Sequence, residues 1–148
     1  MKSDAAGFEV RQARWPEDAE GIRHVRDVVF IQEQAVPASL EWDGSDDECT
    51  HAVAVTADGK AIGTGRLAPD GKVGRMAVLA EYRGLGVGAA ILDHLLETAR
   101  AAGMNRCYLH AQTHALDFYA RHGFVAHGAE FIEADIPHQE MELALEAQ

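Results

Sequence analysis

Seven residues, Arg83, Gly84, Leu85, Gly86, Val87, Gly88 and Ala89, constrain this chain more than any other stretch. They join a short apolar, strand-like run to a strongly amphipathic helical pattern. Glycine at 84, 86 and 88 bares the backbone and lets it approach a ligand closely. Free N–H groups at a helix start, with the positive end of the helix dipole behind them, favour an anion. The turn therefore predicts a ligand that carries a pyrophosphate.

The periodicities on either side predict the fold around that turn. Phe8 and Val10 alternate with Glu9 and Arg11, and Trp15-Pro16 hands this first strand to a helix beginning near Glu17. Ile22, Val25, Val29 and Phe30 form its apolar stripe, and the helix is expected to run to about Glu33 before Pro37 stops it. Asp58-Gly59 and Asp70-Gly71 separate the runs 51–55, 61–67 and 72–78, which reads as an antiparallel three-stranded meander.

After the glycine turn, Ile91, Leu92, Leu95, Leu96 and Ala99 share one helical stripe opposite Asp93, Glu97 and Arg100, and Gly103 ends the helix. Cys107, Tyr108, Leu109 and Ala111 suggest a further buried strand, so strand, helix and strand imply a parallel crossover. A short helix over 115–122 is closed by Gly123. Met141, Leu143 and Leu145 then alternate with Glu140, Glu142 and Glu146 in a half-buried final strand.

With 148 residues, 47% of them apolar and 25% charged, the chain fits a single domain over 1–148. No apolar run approaches the roughly 18 residues of a membrane span, and Asp4 and Glu9 interrupt the place where a signal peptide needs its apolar segment. Thirteen Lys and Arg against 24 Asp and Glu leave a net charge of −11, which repels nucleic acid and anionic lipid and either gathers cationic small molecules or simply keeps the protein soluble. Cys49 and Cys107 lack paired spacing, as expected of free thiols in the small positions of a cytoplasmic core. The segment 38–49, with Glu41, Asp43, Asp46, Asp47 and Glu48 around Trp42, is too polar for a core. It either lines an acceptor site or is a solvated connection.

Two common glycine-turn chemistries are excluded by context. A dinucleotide fingerprint follows the first strand of a parallel unit and is trailed by an acidic residue about 20 positions on. Here an antiparallel meander precedes the turn, and position 108 is Tyr. A phosphate-loop ATPase needs Gly-Lys-Ser or Gly-Lys-Thr, which is absent.

The arrangement resembles the acetyl-CoA site of the GNAT-superfamily N-acetyltransferases, whose motif is Q or R, x, x, G, x, G or A, read here from Arg83 to Gly88. The resemblance extends upstream to Met76, Ala77 and Val78 and downstream to Phe118, Tyr119, Gly123 and Phe124, an FYxxxGF pattern that is a second hallmark of the family. The helix and loop over 27–51 look like the ElaA-like branch. The implied fold is an α/β (α+β) domain with a mixed, mostly antiparallel central sheet, splayed at its centre to admit acetyl-CoA, and with helices on both faces.

The resemblance also implies residue roles. The N–H groups of residues 84–89 hold the pyrophosphate, while the backbone of Met76 and Val78, on either side of Ala77, positions the thioester. Arg83 either adds charge there or is surface solvation. Gln112 lies where relatives often place an amide that bonds the cofactor. Tyr119 matches the tyrosine whose hydroxyl faces the CoA sulfur, where a phenol of pKa about 10 can protonate the departing thiolate; the alternative is a core tyrosine beside Leu116.

The general base is open among Glu33, His138, His110 and His114, with a water relay or an already neutral acceptor as further options. No metal site is expected, since His110 and His114 should straddle a strand end rather than share a helix. The expected reaction is direct acetyl transfer to a primary amine of a small, cationic molecule, without a covalent intermediate. An aminosugar, a protein amine or a non-catalytic acyl-CoA sensor are the alternatives, and a homodimer is compatible with each.

Overall fold

Short turns decide which strands lie side by side. The computed structural model describes residues 2–3 and 7–146, so Asp4 lies outside the described residues. Strands β1 (Lys2–Ser3), β2 (Phe8–Gln12), β3 (Thr50–Thr56), β4 (Ala61–Leu67) and β5 (Val73–Val78) form an antiparallel sheet in chain order. Gly59 and Gly71 close the two Asp-Gly turns at φ of 87° and 95°. The meander therefore stands as the turn chemistry predicts.

Strands β6 (Arg106–Gln112), β7 (Val125–Glu133) and β8 (Ile136–Ala144) form a second antiparallel sheet in the order β6-β8-β7. The two sheets touch through one parallel bridge, Lys72 to Tyr108, where the Tyr108 N–H donates to the Gly71 carbonyl at 3.1 Å. Beyond that bridge β5 has no strand partner on its second edge among the described residues, and the sheets splay. The mixed, mostly antiparallel, split sheet expected from the motifs is thus realised as two sheets pinned at one end.

Helix α1 (Ala19–Arg26) buries Ile22, Val25 and Arg26, then widens into a π-helical segment over Asp27–Glu33 that buries Val29 and Phe30. It starts two residues later than Glu17, because a turn occupies 15–18. Helix α3 (Val87–Ala101) buries all five residues of its predicted stripe against the first sheet. Each such buried Ile or Leu contributes about 1.5–3 kcal/mol. Glycines in β4 permit the close contact: a Cβ at Gly63 would lie 2.9 Å from Ile91 Cδ1, and one at Gly65 would lie 3.0 Å from both Ile91 and Leu95.

Three expectations need correction. The polar segment 38–49 is neither wholly solvated nor excluded from the interior, because it forms helix α2 (Ala38–Glu41) and a single turn at Asp46–Glu48, and Glu41 is only 3% exposed. Cys49 is half-buried rather than a core residue, whereas Cys107 is buried; both are free. Strand β7 was not foreseen, because nearly all of its residues face solvent and it lacks the alternation that marks a half-buried strand. The short helix α4 (Leu116–Arg121) follows a single tight turn at Thr113–Ala115.

Candidate active site

The glycine turn forms an unfilled cradle of donors. Gly84 and Gly86 take φ of 80° and 85°, and Gly86 caps α3 in the left-handed region. The first N–H to close the helix is that of Ala90, which donates to the Gly86 carbonyl at 3.0 Å. The N–H groups of Gly84, Leu85, Gly86, Val87, Gly88 and Ala89 therefore have no acceptor among the described residues. Six unpaired donors at the positive end of a fifteen-residue helix suit a pyrophosphate.

A cavity of about 850 Å³ occupies the wedge between β5 and β6 and reaches the cradle at Gly88. Met76, Ala77 and Val78 line one wall, and Gln112, Phe118 and Tyr119 the other. Gly88 borders it, and a Cβ there would meet the Phe118 ring at 3.6 Å and Val78 Cγ2 at 3.9 Å. Of the residues expected to hold the cofactor, Met76, Ala77, Val78, Arg83, Gly88, Gln112 and Tyr119 line this one space, whereas Gly84, Leu85, Gly86, Val87 and Ala89 do not.

Arg83 does not reach toward the cradle. Its Nη1 and Nη2 each donate to Glu33 at 2.7 Å, and its Nε donates to the Val78 carbonyl at 2.9 Å. Those hydrogen bonds hold the Glu33 carboxyl below the ordinary glutamate range. Glu33 lines the cavity, yet a carboxylate engaged at both oxygens is a weak proton acceptor. Gln112 is also partly engaged, its Nε2 donating to Gln34 Oε1 at 2.9 Å.

Tyr119 and His138 are differently placed. The Tyr119 ring packs edge-on to Phe118 and Phe124, with centroids 5.0 and 6.0 Å away, while its hydroxyl makes no hydrogen bond among the described residues. Burial pushes that hydroxyl up to about 12, so it keeps its proton near neutrality. His138, 6% exposed on β8, stacks against Phe131 and points Nδ1 at the Ile136 carbonyl, 2.7 Å away. A carbonyl can only accept, so Nδ1 carries the hydrogen and the neutral ring keeps its lone pair on Nε2. His110 lies beside Glu133 at 3.0 Å, and exposed His114 sits at the rim of the same cavity.

Behind the far wall lies an ionic network that sequence reasoning missed. Buried Arg26 donates to Glu41 at 2.7 Å and to Asp46 at 2.7 Å; Arg66 joins Asp46 and Asp43; Arg75 reaches the Leu40 and Glu41 carbonyls and Asp43. Burial pushes the Glu41 carboxyl above its ordinary value against the pull of Arg75 and Arg26. Arg66 holds Asp43 well below the carboxylate range. One signal was readable: Arg26 falls on the apolar stripe of α1, one turn after Ile22, where an arginine needs a buried partner.

Comparison with known proteins gives this geometry a lineage. The family profile of the acetyltransferase (GNAT) domain matches residues 15–145. The chain belongs to the GNAT acetyltransferases. It is 39% identical over 122 residues to YjcF of Bacillus subtilis, described as an uncharacterized N-acetyltransferase, across 80% of this chain and 86% of that one. Escherichia coli ElaA superposes at a TM-score of 0.80 with 26% identity, over 92% of this chain and 98% of ElaA. An acyl-CoA N-acyltransferase from Pseudomonas aeruginosa superposes at 0.80 with 29% identity, over 93% and 98% of the two chains. This GNAT protein is therefore an N-acyltransferase, and its structural likeness to ElaA agrees with the branch its motifs resemble.

Proposed function

We propose that this GNAT enzyme, acting as one unit over 1–148, transfers acetyl from acetyl-CoA directly to the primary amine of a small molecule that arrives as an ammonium cation. The observation that carries the donor side is the run of six N–H groups at residues 84–89 without an acceptor among the described residues, next to the cavity that Gly88 lines. Acetyl-CoA brings the pyrophosphate these groups suit and the thioester carbonyl that a β5 backbone N–H beside Met76 or Val78 can polarise as charge develops on its oxygen.

In this reading His138 Nε2 accepts the proton that leaves the acceptor ammonium. The amine nitrogen bonds to the acetyl carbonyl carbon, the carbon–sulfur bond breaks, the Tyr119 hydroxyl gives its proton to the departing sulfur, and the second proton shed by the nitrogen as it becomes an amide restores the Tyr119 hydroxyl. Glu33 is a positioning residue that ties the end of the π-helical segment to Arg83. The net charge of −11 draws a cationic amine toward the molecule. Free Cys49 and Cys107 support a cytoplasmic setting. The open edge of β7, with Val125 67% and Ile132 66% exposed, supports a homodimer, which light scattering reads directly.

The test is a panel of primary amines incubated with acetyl-CoA, with released thiol as the readout. Amine-dependent thiol release that falls at least about a hundredfold in His138→Gln supports the scheme. Tight acetyl-CoA binding with no amine-dependent release would overturn it.

A further inference from the structure

The acceptor end of the cavity holds two cations, Lys72 and Arg75, whose hydrogen-bonding capacity the protein does not use up. Of the acids lining the main cavity, Glu33 is held by Arg83, Glu41 by Arg26 and Glu133 by His110. Lys72 and Arg75 line this cavity and also a second, adjoining one of about 570 Å³. The Lys72 ammonium makes no close ion pair among the described residues; nearby Asp70 accepts from the Lys72 backbone N–H and the Tyr108 hydroxyl and feels the Lys72 charge only at longer range.

Arg75 is aimed by the backbone. Thr64 pairs with Ala77 and Arg66 with Gly74, so Arg75 and Met76 together oppose Gly65 in a bulge, and Arg75 takes φ of 52°. Such a conformation in a residue with a side chain costs about 1–3 kcal/mol and persists where the surroundings enforce it. Its Nη2 is occupied by Leu40, Glu41 and Asp43, and its Nε is buried 3.3 Å from Glu41 Oε2. Its Nη1 donates to nothing among the described residues and is not shut off from solvent.

Resting on the acetyltransfer reading above, we infer that Lys72 and the open edge of Arg75 form an anion subsite, so that the acceptor is a small molecule carrying both a primary amine and an anionic group. Arg75 adjoins Met76, where the thioester is placed, while Lys72 stands four residues back, about 13 Å along the strand. The anionic group therefore lies several bonds from the reacting nitrogen. Asp43, Asp70 and Glu133 are each engaged by internal partners; Glu48 is exposed and lines only the second cavity.

The probes are ω-amino carboxylates and ω-aminoalkyl phosphonates of graded length, with n-alkylamines and α,ω-diamines matched to them, given to the whole protein with acetyl-CoA. The expected result is a kcat/KM at least tenfold higher for an anionic class than for alkylamines, and the carboxylate and phosphonate arms identify which anion fits. Lys72→Met should narrow that ratio at least tenfold. A ratio near one, a preference for diamines, or a ratio unaltered in both Lys72→Met and Lys72→Glu would overturn the subsite. If no amine of any class releases thiol, the acetyltransfer reading fails separately. Calorimetric titration of the same probes into CoA-loaded protein then decides the subsite: tighter binding of the anionic probes supports it, and equal or weaker binding overturns it.

Discussion

Arg83 grips Glu33 through two 2.7 Å hydrogen bonds across 50 positions of sequence, and so fastens the glycine turn to the end of the first helical arm. Both side chains are 42% exposed, so the pair itself contributes at most about 1 kcal/mol. Glu33→Gln should therefore leave the melting temperature nearly unaltered and keep kcat within about threefold, with its main effect on KM. A hundredfold fall in kcat in steady-state assays would instead make Glu33 the base.

Gly86→Val places a branched side chain at φ of 85°, a left-handed conformation that costs about 1–2 kcal/mol without glycine. It also crowds the cradle. Acetyl-CoA binding should be lost in calorimetry while circular dichroism shows a folded protein. Retained affinity would remove the turn from the donor site.

Tyr119→Phe should lower kcat about tenfold to a hundredfold with little effect on acetyl-CoA affinity. Because burial raises the hydroxyl to about 12, its ionisation should produce no alkaline loss of rate through neutral and mildly alkaline pH. An unchanged kcat would leave Tyr119 with only a packing role.

Gly65→Ala forces a methyl to within 2.7 Å of Met76 Sδ and 3.0 Å of Ile91 and Leu95. Overpacking of this kind costs about 1–3 kcal/mol. For a chain of this size that lowers the melting temperature by about 2–4 °C per kcal/mol, read by scanning calorimetry.

The ionic network predicts acid sensitivity. Hydrogen bonds from Arg66 hold Asp43 low, and Asp46 stays low because Arg26 and Arg66 outweigh the opposing effect of its burial. Folded values below the unfolded ones mean that this stabilisation is full above the unfolded pKa, about 3.9, and is lost as pH falls toward the folded values. Glu41 acts oppositely: its raised folded value makes its contribution weaken as pH rises through that value. Two carboxylates against one predict a melting temperature that drops as the pH falls below about 4. The drop should be shallower in Asp43→Asn; an equal slope in the variant would refute the role of Asp43.

What the sequence revealed followed from local physics. The stripe from Ile91 to Ala99, the Asp-Gly turns and the glycine cradle each express a period or a backbone requirement confined to a few neighbouring residues. Glu41 escaped notice because its burial depends on Arg26, fifteen positions away on another element. Arg75 escaped because a bulge is a property of two paired strands, not of either alone. β7 escaped because its residues are exposed on both faces, which erases the alternation. His138 was among the possible bases, but its Nδ1 bond to the Ile136 carbonyl is what distinguishes it from the other histidines.

The single bridge between Lys72 and Tyr108 divides the molecule's labour. The glycine cradle, Lys72 and Arg75 stand on the β5 and α3 side of the join, while His110, His138 and Glu133 belong to the smaller sheet on the other. Side chains on the smaller sheet can therefore change without disturbing the backbone of the glycine cradle, because the two sheets share only that one short seam among the described residues.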